Sequence, residues 1–101
     1  MEKVKKRLKL KIVMVSNRDG NVKEEFLREL QETHPDMTGE CIINPTIGKR
    51  LLLDWDDDSG KILRTSKIVE LVEKKDKNAL VIITENSIYD CEMIGEYKYE
   101  R

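Results

Sequence analysis

Apolar and polar positions alternate with a period of two along most of this chain, in short runs. Leu8, Leu10, Ile12 and Met14 interleave with Lys9, Lys11, Val13 and Val15, the pattern of a strand that buries its Leu8 face. Asn17 to Asn21, with Gly20, reads as a turn. The period then changes. Val22, Phe26, Leu27 and Leu30 share one face of a helix predicted over about Val22 to Thr33. Asn21 is placed to cap it, and Glu24 and Glu25 suit the positive end of its dipole. His34-Pro35 stops it, because a residue before proline is driven out of the helical region.

Period two then returns. Asp36 to Glu40 reads as a loop and Cys41 to Ile43 as a short strand ended by Asn44-Pro45. After the turn Thr46-Ile47-Gly48, Leu51, Leu53 and Trp55 alternate with Arg50, Leu52 and Asp54. Asp58-Ser59-Gly60 is hairpin chemistry, since Gly60 is free to take positive φ. Ile62 to Val72 is long for one strand and is expected to bend near Thr65-Ser66. A charged link, Glu73 to Asn78, leads to Ala79–Thr84, and Asn86-Ser87 turns the chain into Ile88–Ile94. Tyr97 to Arg101 reads as a charged, frayed tail.

Short strands at regular spacing predict a small antiparallel barrel or sandwich. The fold class expected is α+β: a strongly bent antiparallel sheet, or an SH3-like barrel, with one packed helix. Residues 1–101 form a single domain, with strand and helix over 1–40, a strand meander over 41–94 and the tail over 95–101. Leu10, Ile12, Leu51, Leu53, Val69, Leu71, Leu80 and Ile82 are the predicted core.

Charged residues make up 39% of the chain, yet the net charge is only −1, which gives no global pull toward nucleic acid or an anionic membrane. The distribution is uneven. Lys3, Lys5, Lys6, Arg7, Lys9 and Lys11 crowd the first eleven residues, while Asp54, Asp56, Asp57 and Asp58 crowd one turn. Cys41 and Cys91 stand apart without metal-ligand spacing and read as buried structural thiols. With no membrane-length apolar run and no secretory pattern at the N-terminus, the expectation is a cytoplasmic protein.

The chain carries little candidate chemistry. The acidic turn offers carboxylates at alternate positions, as a calcium loop does. Its glycine falls seventh rather than sixth, however, and Thr65 stands where a bidentate Glu is required. A solvated hairpin turn, or a negative patch for a basic protein surface, fits better. The basic segment lacks interleaved aromatics for base stacking, so lysines that guard a strand edge are the simpler reading. His34, the single histidine, reads as a surface or helix-capping residue. Scattered glycines make no phosphate loop, and no nucleophile motif accompanies His34. No enzyme, cofactor or metal is expected.

Two segments carry a family flavour: Leu63-Arg64-Thr65-Ser66-Lys67-Ile68-Val69 and Val81-Ile82-Ile83-Thr84-Glu85-Asn86-Ser87-Ile88-Tyr89. The first reads as a bent strand whose Thr65 and Ser66 hydroxyls satisfy backbone groups; the second reads as a hairpin. Together they resemble small uncharacterised bacterial and phage proteins with SH3-like barrels, over roughly Gly48 to Met93. The resemblance brings no function with it. The functional expectation is a non-enzymatic protein-binding module, an accessory or inhibitory protein of a phage or mobile element. It would engage a host or phage protein through Asp54, Asp56, Asp57 and Asp58. The alternative is a nucleic-acid-binding barrel using Lys5, Lys6, Arg7, Lys9, Lys11 and Arg64.

Overall fold

A computed structural model of the chain describes the backbone of residues 4–100 and the side chains of residues 7–74 and 76–95. Six strands and one helix follow in order: β1 (Val4–Asn17), α1 (Glu24–Thr33), β2 (Thr38–Cys41), β3 (Arg50–Trp55), β4 (Ile62–Lys74), β5 (Ala79–Thr84) and β6 (Ser87–Glu100), with a short 3-10 turn (Lys75–Lys77) between β4 and β5. Every strand pairs antiparallel with its neighbour in sequence, and β6 returns to β1 to close a barrel. The expected α+β class and small antiparallel barrel are thus present.

Closure changes the reading of the basic strand. Lys9 to Lys11 pair with β2 on one side and with β6 on the other, so the lysines there guard no free edge. Residues 95–100, expected as a frayed tail, continue β6 and pair with β1 back to Val4. The loop expected over Asp36 to Glu40 is shorter, because β2 begins at Thr38 and stops at Cys41. Gly39 is the reason. A Cβ there would lie 2.7 Å from the Asp54 carbonyl oxygen and 2.8 Å from Leu53 Cγ, so only glycine lets β2 approach β3 this closely.

The core follows the alternation until bulges interrupt it. Leu10, Ile12, Leu51, Leu53, Leu80 and Ile82 are buried, as the pattern predicts, Trp55 joins them, and Leu71 is only half-buried. Val69 is not: it is 43% exposed, and Ile68 is buried in its place. Arg50 pairs with Lys67 but Leu52 with Arg64, and Ile68 pairs with Thr84 but Glu70 with Ile83. At each step β4 holds one residue more than its partner, so the inward set shifts from Leu63 and Thr65 to Ile68 and then Leu71. The same device acts between β1 and β6, where Ile12 pairs with Cys91 but Met14 with Asp90. Val15 therefore replaces Met14 on the buried face, and Val13 is turned out. The bend of β4 lies where it was expected. Thr65 Oγ1 accepts the Leu51 N–H at 3.0 Å and donates to the Ser66 carbonyl at 2.7 Å. Ser66 Oγ accepts the Asn86 N–H at 3.2 Å.

The helix starts later than its periodicity suggests. Lys23, not Asn21, occupies the N-cap position, and no side chain caps it. Asn21 instead gives its backbone N–H to Asp19 Oδ1 in the preceding turn. Phe26, Leu27 and Leu30 pack against the core from α1. The helix joins the last residues of β1 to the first of β2, so it lies at the barrel end where β1 finishes. Arg18 and Lys23 pin this segment to the β5–β6 turn, donating to the Thr84 carbonyl at 3.1 Å and to Ser87 Oγ at 2.6 Å.

Candidate functional site

The β3–β4 turn is built from its own polar side chains. Asp57 Oδ1 accepts the Ser59 N–H at 3.0 Å, and Ser59 Oγ accepts the Lys61 N–H at 3.2 Å. These local bonds replace the ladder bonds that a turn forfeits. Gly60 takes φ +71, the left-handed conformation anticipated for it. The turn is also tied to its neighbour, because the Asp56 N–H bonds to the Thr38 carbonyl at 3.0 Å.

His34 supplies the principal brace and is not a surface residue. It is 4% exposed, and its ring stacks on Trp55 with centroids 4.1 Å apart and planes 11° from parallel. Its Nδ1 is bonded to Asp57 Oδ2. His34 does end the helix, donating its backbone N–H to the Leu30 carbonyl at 2.7 Å. One residue thus joins the C-terminus of α1, the end of β3 and the acidic turn. The Asp57 carboxyl is pulled down to about 2, first by its bond to Ser59 and next by His34. Sequence separation hid this contact; the only available signal was a lone histidine beside a helix-stopping proline, together with a lone tryptophan.

The two rival charge clusters prove to be neighbours. Strand register sets Lys9 opposite Glu40, and Glu40 opposite Asp54, so the three share the outer face of β1, β2 and β3. Lys9 Nζ lies 2.6 Å from Asp56 Oδ2, and Arg7 Nη1 donates to Glu40 Oε1 at 3.1 Å. Asp54 and Asp58 are exposed. Lys11 is exposed further along β1, while Arg64 is exposed on β4, with β2 and β3 between them. The side chains of Lys5 and Lys6 lie outside the described residues.

The opposite end of the barrel holds a cavity of about 440 Å³. Leu8, Leu71, Leu80 and Met93 form its walls, and Pro45, Asn44 and Glu73 complete its lining. Asn44 is fixed there, with its Oδ1 accepting the Leu8 N–H at 2.9 Å.

Cys41 and Cys91 are free and buried. Burial, then the charge of Glu40, pushes the Cys41 thiol up to about 12. Burial also raises the Cys91 thiol, with Cys41 adding to the effect. Both are therefore neutral core residues at physiological pH. Among the described residues no group of three or more His, Cys, Asp or Glu is placed to hold a metal ion, and no helix is long and apolar enough to cross a membrane.

The fold and site define a small closed antiparallel barrel with a braced acidic turn. No family model, curated protein or solved structure matches the chain.

Proposed function

We propose that the chain is a non-enzymatic protein-binding module that presents its β3–β4 turn to a basic surface on a partner protein. The observation that carries this reading is the bracing of the turn by His34, Trp55 and Asp57. A loop already ordered before contact loses little conformational entropy on binding. Asp58 projects from it and Asp54 from the adjoining outer face of β3, and among the described residues neither makes an ion pair, so their charge is available to steer a cationic partner.

The finer reading is an SH3-like barrel serving as an accessory or inhibitory protein of a phage or mobile element in the cytoplasm. It is supported by the resemblance of the Leu63–Val69 and Val81–Tyr89 segments and by the bent β4 shared between β3 and β5. Carboxylates offered in place of phosphates would suit a nucleic-acid-handling protein as the partner. The nucleic-acid-binding alternative is weakened because Arg7 and Lys9 already engage Glu40 and Asp56.

The test is capture from a host lysate at low and high salt, with the wild-type chain and an Asp54→Asn, Asp58→Asn variant. The proposal expects one protein retained at low salt, released at high salt and lost with the variant. Nuclease-sensitive recovery of nucleic acid that the variant leaves unchanged would contradict it, as would retention on heparin at low salt.

A further inference from the structure

The cavity at the open end of the barrel is independent of the acidic turn. Its walls are inward positions of four strands, Leu8 on β1, Leu71 on β4, Leu80 on β5 and Met93 on β6. Its volume of about 440 Å³ falls in the roughly 300–1,000 Å³ range of small-molecule sites, which are apolar with a few fixed polar groups. A core residue in the middle of the barrel meets another strand's side chain across the interior. These four instead border space.

The register decides what stands at the rim. Leu71 pairs with Ile82, which is fully buried, and Glu73 pairs with Leu80, which is 6% exposed. Directly opposed residues share a face, so Glu73 occupies an inward position of β4, one step beyond Leu71. Lys74 pairs with Ala79 and takes the outward position. Among the described residues, Glu73 is therefore the one charged side chain lining the cavity. It makes no hydrogen bond or ion pair among those residues. Glu73 is exposed at the rim, so its carboxylate stays solvated while it stands on the cavity side of β4, beyond the inward positions of Leu63, Thr65, Ile68 and Leu71.

We propose that this mouth binds a single-chain aliphatic amine: the alkyl chain enters between Leu8, Leu71, Leu80 and Met93, and the ammonium group stays at the rim against Glu73. The chain gains by leaving water, and the ammonium retains solvent and a counter-charge, so neither group is buried unpaired. Asn44, held by the Leu8 N–H, fixes the rim opposite β4.

The test is titration of the whole chain with decylammonium below its micelle concentration, against decanol and decanoate, read by methyl NMR and calorimetry. The proposal expects decylammonium to bind with shifts at Leu8, Leu71, Leu80 and Met93, and decanoate to bind more weakly or not at all. Glu73→Gln, an exposed substitution that leaves the core intact, should weaken decylammonium about three- to fivefold, the scale of a solvent-accessible ion pair. Met93→Trp should block the mouth, with its fold checked by the unchanged shifts of core methyls distant from the cavity. Equal binding of decanol and decylammonium, or no effect of Glu73→Gln, would overturn the role of the carboxylate. Absence of binding by all three probes would overturn the site.

Discussion

The two ends of this barrel are finished in opposite ways. At the end where β1 finishes, α1 lays Phe26, Leu27 and Leu30 against the core, and His34 stacks on Trp55 and binds Asp57. At the other end, among the described residues, Leu8, Leu71 and Met93 reach the core from the strands and border a cavity that Asn44 and Pro45 of the β2–β3 loop also line. A barrel has no edges to protect, but it has two openings, and a single helix can cover only one of them. The helix-covered end holds a charged turn in place, and the other end, among the described residues, leaves a cavity of about 440 Å³.

The comparison depends first on the barrel being closed and filled at its middle. Leu53 is fully buried on β3. Leu53→Asp would strand a charge there without a partner and should abolish the folded state; a wild-type melting temperature would show that the strand register is wrong. Next in size is Gly39→Ala. Its Cβ would meet a backbone oxygen on β3, which cannot swing aside as a side-chain tip can, so a loss of ~3 kcal/mol is expected in denaturant unfolding. A neutral result would mean that β2 does not approach β3 as described.

His34→Ala removes the stack and the brace together and should cost ~2 kcal/mol. Its more telling effect is local. Amides of Ser59 and Lys61 should lose protection from hydrogen exchange, while those around the cavity should not. Equal loss at both ends would deny the division between them. The Asp57 carboxyl sharpens the same point through pH. Its folded value is depressed from 3.8 to about 2, so its contribution is complete above pH ~4 and is lost as pH falls toward ~2. Thermal melts across that window should show a slope that Asp57→Asn reduces. The smallest expected effect is the Lys9–Asp56 pair, worth ~0.5 kcal/mol in a double-mutant cycle and less at high salt.

Much of this architecture was legible in the chain. Alternation placed Leu51 and Leu53 inward, and Thr65-Ser66 marked the bend of β4, because the period of a strand and the hydrogen-bonding capacity of a hydroxyl are local properties. Bulges are not local in that sense. Each adds one residue relative to a partner strand that the sequence does not identify, and each reverses the faces beyond it, which is why Ile68 rather than Val69 and Val15 rather than Met14 are buried. Three exposed apolar side chains, Val13, Val69 and Ile94, lie where the pairing register slips. The acidic turn was visible as composition, but its brace was not. His34 and Asp57 are 23 residues apart, and only the return of β2 alongside β3 brings them together. Likewise the basic and acidic clusters looked like competing sites until closure set Lys9 beside Asp56.

The most direct test of the contrast uses a probe without charge or shape preference. Xenon gathers where apolar side chains border space, and methyl NMR reports where it resides. The account predicts shifts at Leu8, Leu71, Leu80 and Met93 that saturate with xenon pressure, with Leu27 and Leu30 unmoved. Saturable shifts at the helix-covered end, or none at the cavity, would contradict it.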